Sequence, residues 1–165
     1  MSRQPNHTET SRYSHAKTVT HVWRGGYPGF EASWNHPRNW DCGYVPSWRS
    51  HVLIPKRVAC PPSINQPVDD VTSLTLETGA TLSIGIYGEI TVDGLFTPDT
   101  AGLRNAGFLQ NLGEVFLRNI PHPALRNAGF IHNAGMIFFD QTGLDDRLGA
   151  DPRFCNEGEL VDLSI

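Results

Sequence analysis

Beyond residue 50 the chain alternates apolar and polar residues in short runs broken by glycine. Val52-Leu53-Ile54 is an apolar run stopped by Pro55, and Leu74-Thr75-Leu76, Thr81-Leu82-Ser83-Ile84 and Ile90-Thr91-Val92 alternate residue by residue. A period of two is that of a strand with one face turned inward, and a proline that closes an apolar run marks a strand end. Gly79, Gly85, Gly88 and Gly94 separate these runs at intervals too short for a helix. Nowhere do apolar residues recur at helical spacing for more than two turns. The pattern predicts an all-β protein.

A repeat narrows the class. Leu103-Arg-Asn-Ala-Gly-Phe108 returns as Leu125-Arg-Asn-Ala-Gly-Phe130, a shift of 22 residues. Asn111-Leu-Gly113-Glu-Val115 returns as Asn133-Ala-Gly135-Met-Ile137, and more loosely as Asn156-Glu-Gly158-Glu-Leu160. Self-similarity at this period, carried by short strands, predicts a parallel β-helix or β-solenoid of about 22-residue coils, right-handed by the general preference of parallel connections. Leucine-rich repeats share the period, but their LxxLxL pattern is missing.

Coils stacked about 4.8 Å apart place equivalent residues above one another. Asn111, Asn133 and Asn156 are then expected to form one amide ladder, and Asn105 with Asn127 a shorter one. The neighbouring glycines are read as supplying the positive φ of a tight corner. Ile90 and Val92, Val115 and Leu117, and Ile137 and Phe139 point inward; Thr91, Phe116, Phe138 and Val161 form an outer, partly apolar column. A second register would instead turn Val161, Leu163 and Ile165 inward. The sequence stops in strand-like residues, and an open coil edge is a template for pairing with another chain. Phe116, Phe138, Val161, Leu163 and Ile165 are therefore the expected assembly interface.

Composition adds constraints. The 165 residues suit one domain. A formal charge of −4 gives no basic field for nucleic acid, and no apolar run is long enough to span a membrane. Residues 1–22 are polar and read as an extended or disordered arm, without the apolar segment of a secretory signal. Asn6-His7-Thr8 matches a glycosylation sequon by chance. Residues 23–50 hold all four tryptophans, Trp23, Trp34, Trp40 and Trp48, among glycine and proline turns. They form either a cap that closes the end of the core or, with Tyr44, an aromatic platform for carbohydrate. Residues 51–165 form the solenoid. Cys42 and Cys60 flank a strand-like segment and are a candidate disulfide in an oxidising compartment; Cys155 is the odd thiol.

Trp34, Asn39-Trp40, Gly43-Tyr-Val-Pro46, Val52-Leu-Ile-Pro55 and the stretch LTLETGATLSI over residues 74–84, followed by Asn-x-Gly coils, resemble the secreted β-helical, adhesin-like surface proteins of Bacteroidetes-type bacteria. That resemblance implies an extracellular solenoid with structural or adhesive duties and supplies no catalytic residues. This chain departs from the pattern in being short.

Candidate chemistry is sparse. Asp93 and Asp140 fall at equivalent outward positions two coils, or about 9.6 Å, apart, a separation compatible with an inverting carboxylate pair. With Arg118 between them they also read as a plain charge ladder. Asp145, Asp146 and Asp151 lie in a loop that offers oxygen ligands to calcium but lacks EF-hand spacing. The seven histidines show no HExxH or other close ligand pair, and no phosphate loop or nucleophile elbow is present. The sequence therefore predicts no enzyme, metal or cofactor, but an extracellular structural subunit that associates with itself head to tail. Adhesion to a surface polysaccharide is the alternative, and polysaccharide cleavage the third reading.

Overall fold

The computed structural model describes residues 19–121, 123–140 and 148–164. The expected arm over residues 1–18, together with Asn6, Asp145, Asp146 and Ile165, lies outside the described residues.

The chain forms β1 (Val19–Val22), β2 (Ser50–Ile54), β3 (Ser63–Ile64), β4 (Ser73–Leu76), β5 (Thr81–Ile84), β6 (Glu89–Asp93) and β7 (Gly102–Asn105). It continues through β8 (Phe108–Asn111), β9 (Glu114–Arg118), β10 (Leu125–Asn127), β11 (Phe130–Asn133), β12 (Met136–Phe139), β13 (Phe154–Asn156) and β14 (Glu159–Asp162). Three parallel sheets result, ordered β1-β2-β4-β7-β10, β3-β5-β8-β11-β13 and β6-β9-β12-β14. Successive turns of the chain supply neighbouring strands, so the molecule is a β-solenoid of about four turns with coils of about 23 residues. Helix is confined to three short 3₁₀ turns among the described residues, none long and apolar enough to cross a membrane.

The register follows the repeat. Leu125 lies on Leu103, Phe130 on Phe108 and Ile137 on Val115, each one copy of the repeat apart. Inward residues of the three sheets, including Leu74, Leu82, Ile90, Leu103, Leu109, Leu117, Ile131 and Ile137, fill one continuous core. Each such side chain contributes about 1.5–3 kcal/mol by leaving water, but only because the coil above and the coil below complete its cavity.

Two corners of each later coil are tight, Asn105 to Phe108 and Asn111 to Glu114 in the third coil. The remaining corner is long: residues 94–101 leave the stack, make a 3₁₀ turn at Pro98–Thr100, and return to β7. The glycines of the tight corners do not take the positive φ expected of them; Gly107, Gly113, Gly129, Gly135 and Gly158 are absent from the left-handed region. They are small because coils approach closely there. A Cβ on Gly135 would collide with the carbonyl oxygen of Gly113, and one on Gly158 with that of Gly135.

The described end of the expected arm, residues 19–22, is a strand. Val19–Val22 pairs in parallel with β2, placing Val19 on Ser50 and His21 on Val52, and His21 is buried. Residues 23–49 then close the first coil. Trp23, Trp34 and Trp40 are buried, Trp40 meeting the other two edge-on at 4.9 and 4.8 Å. Their polar edges are partly spent inside: Trp23 Nε1 donates to the Cys60 carbonyl and Trp40 Nε1 to that of Trp34, both at 2.8 Å. Asn39, fully buried, ties the segment together by donating to the Phe30 and Ser33 carbonyls and accepting from the Tyr27 amide. Three of the four tryptophans thus form a cap.

Candidate functional site

Both amide ladders are present. Asn105 Nδ2 donates to Asn127 Oδ1 at 2.8 Å; Asn111 donates to Asn133, and Asn133 to Asn156, at 2.7 Å each. The repeat places them there, and a local turn aims them: the amides of Gly107 and Gly113 donate to the side-chain oxygens of Asn105 and Asn111. Asn105, Asn111 and Asn133 are buried with these bonds made, so these three amides hold the coils together.

The column has the expected register, Thr91 under Phe116, Phe138 and Val161, but Thr91 is buried, with residues 67–71 bridged along β6. Phe116 and Phe138 stack 4.4 Å apart and within 6° of parallel, and the Arg118 guanidinium lies 4.7 Å from the Phe116 centroid. Both rings are half-buried, so much of the apolar surface assigned to a partner is covered from within the chain. Phe108 and Phe130 make a second stack at 5.7 Å, which the strand pattern did not single out. At the foot of the column Asp93 sits beside Arg118. Asn119 joins the two carboxylates: its side chain donates to Asp93 at 2.9 Å and its backbone amide to Asp140 at 3.0 Å. Asp93 also accepts from the Leu95 amide. Both carboxylates thus accept hydrogen bonds that tie this corner together.

The last coil ends the core differently. Leu160 lies on Ile137 and Asp162 on Phe139, so Val161 is outward and the alternative register is not adopted. Ile137 is 0% exposed, whereas Leu160 is 38% exposed. Met136 and Leu163, at positions that alternate with the inward ones, are exposed as well.

Trp48 is the tryptophan that does not join the cap. It is 58% exposed, on the Ser47–Ser50 turn, and meets Phe96 of the long corner at 5.4 Å. The Arg49 guanidinium lies 4.3 Å from the Trp48 ring and 4.9 Å from that of Phe96, with Arg49 in the left-handed region at φ 70°. Tyr44 is exposed as well. Of the aromatics proposed for carbohydrate, only Trp48 and Tyr44 are therefore available to one.

No disulfide joins Cys42 and Cys60; all three cysteines are free thiols. Cys42 turns instead toward the Tyr44 carbonyl, 3.6 Å away. In the loop read for calcium, Asp151 accepts from Nε and Nη2 of Arg153 at 3.0 and 2.9 Å. These bonds, with one from the Arg153 amide, hold its carboxyl below the usual range.

The histidines are not all solitary. Strand pairing sets His132 directly beside Cys155, and Glu157 reaches back to His132, Oε2 to Nε2 3.5 Å. The Cys155 sulfur lies 3.9 Å from Glu157 Oε1, and the three ligand atoms fall within 4.8 Å of one another. Residues a coil apart in sequence are neighbours in a solenoid, so a search for short ligand spacings could not find this group. Alignment of the Asn-x-Gly copies, whose last step from Asn133 to Asn156 is 23 residues and places Cys155 over His132, was the signal that could.

These features define a capped parallel β-solenoid with internal asparagine ladders. No protein-family model, curated protein or solved structure matches the chain.

Proposed function

We propose that the chain is a structural β-solenoid subunit that associates with itself through its last coil and works outside the cell. The carrying observation is Leu160, which occupies an inward core position yet remains partly open to water. Edge strands of this kind accept a further strand. A second copy is the occupant that continues the same inter-strand spacing. β1 is an edge strand of the first sheet in the first described coil, and head-to-tail contact without ring closure yields a filament. The extracellular setting rests on the resemblance of the Trp-Asn-Trp opening to secreted solenoids.

The test is negative-stain electron microscopy over a concentration series, with Leu160→Asp beside the parent chain. Filaments or end-joined pairs that vanish in the variant are expected. Dispersed particles at every concentration would refute the proposal.

One observation favours a second reading. The exposed Trp48, Phe96 and Arg49 group is the kind of flat, partly charged aromatic surface that stacks on sugar rings. Glycan-array binding abolished by Trp48→Ala, in a chain that stays monomeric, would establish adhesion instead.

A further inference from the structure

We infer that His132, Cys155 and Glu157 form a binding site for a thiophilic divalent cation, with zinc(II) the best match, on the outer face of the sheet containing β11 and β13. The three side chains bring an imidazole nitrogen, a sulfur and a carboxylate oxygen to one point. With metal–ligand bonds of about 2.0–2.3 Å and tetrahedral angles, such ligands sit roughly 3.3–3.7 Å apart around zinc. The His132–Glu157 and Cys155–Glu157 separations are 3.5 and 3.9 Å, to the two different carboxylate oxygens, and with one atom per residue the set lies within 4.8 Å, so the side chains must draw together somewhat to close on an ion.

The scaffold fixes the set. His132 and Cys155 are a strand-paired couple, and the next residue of each, Asn133 and Asn156, are joined by a ladder hydrogen bond. The Glu157 amide donates to the Asn133 carbonyl at 2.7 Å, which anchors the third ligand to the same register. His132 and Cys155 are half-buried while Glu157 is exposed, so the pocket is open to solvent on the carboxylate side. A sulfur ligand discriminates against magnesium and calcium in favour of softer ions. Three protein ligands leave the fourth position to water or to a donor from another molecule. Because His132 belongs to one coil and Cys155 and Glu157 to the next, an ion bound here clips the last coil to the stack.

The test uses the tag-free full chain titrated with cobalt(II) and then zinc(II). One equivalent of cobalt is expected to produce a near-ultraviolet thiolate charge-transfer band that zinc displaces. The band should persist in the Cys42→Ser/Cys60→Ser double variant and be lost in Cys155→Ser. His132→Ala and Glu157→Gln should each weaken zinc at least tenfold in a chelator competition, and zinc should raise the melting temperature of the parent but not of Cys155→Ser. Glu157→Gln changes an exposed side chain, so it keeps the test decisive if a variant at Cys155 or His132 fails to fold. Absence of the band, its persistence in Cys155→Ser, or unchanged affinity in Glu157→Gln would overturn the site.

Discussion

Asn133 stands in the middle of the longer ladder, receiving the amide of Asn111 and giving its own to Asn156, with no exposure to solvent. Truncation to alanine removes one of the two acceptors of the Asn111 amide, leaving it only the Met136 carbonyl in a dry interior, and each stranded buried polar group costs about 1–3 kcal/mol. Asn133→Ala should therefore lose roughly 2–4 kcal/mol in urea denaturation, and Asn156→Ala, at the exposed top, about 1 kcal/mol. Two histidines make stability respond to acid. Burial lowers the pKa of His21 below its ordinary 6.5, against opposing effects of the Val19 backbone and Asp41. Burial and then the Arg104 charge do the same for His51, whose Nδ1 lies 2.7 Å from the Ser73 hydroxyl. Below pH 6.5 the unfolded chain takes up protons that the folded chain refuses. Stability is thus complete above that pH and falls as the pH drops beneath it. Melting temperature should decline between pH 7 and 5, with a shallower slope in His51→Asn. At this scale the ladders were legible, because an amide recurring with the period of the coil has one physical use. The His132–Cys155–Glu157 group was not, because its members meet through strand pairing and no local spacing marks them.

Among the elements, the tight corners depend on absent side chains. Gly135 lies over Gly113 and under Gly158, and in each case a Cβ would meet the carbonyl oxygen of the coil beneath. Main-chain bonds such as Met136 N–H to Gly113 O, at 2.8 Å, need that close approach. Gly135→Ala must spread two coils, and an overpacking cost of about 1–3 kcal/mol is expected from denaturant titration. Gly79→Ala is the contrast: its site has open space around the missing Cβ but a φ of 84°, so it should cost only the left-handed penalty of about 1–2 kcal/mol. Glycine in the Asn-x-Gly repeat was readable as obligatory, but its reason was misread, since composition does not separate a turn that needs positive φ from a backbone that needs clearance. β1 was missed for a related reason. Four residues carry too little alternation to announce a strand, and Val19–Val22 becomes one by pairing with β2.

Among the described residues the first and last coils are packed differently. Three interlocked indoles seal the first coil, whereas Leu160 leaves the core of the last one partly open. The tryptophan cluster was legible as a cap because so much aromatic surface in one short stretch must be covered. Which ring would stay outside was not, since Trp48 is set apart by the turn geometry at Arg49 and by its meeting with Phe96 from a distant corner. The outward Phe116 and Phe138 show the same limit. Strand alternation placed them on the surface, but their mutual stacking, which removes much of the need for a partner, depends on the orientation of two rings.

Because the coil of β10 to β12 lies on that of β7 to β9 in unbroken register, with every partner 22 residues away, nothing in that pairing records how many coils there should be. A duplicated stretch of one period would enter with every amide and glycine already in place, and the long corner, where residues 94–101 already swing out and return, would absorb any unevenness at the seam. Length is therefore a quantity that copying errors in a gene can change in whole steps, while the fold itself stays the same.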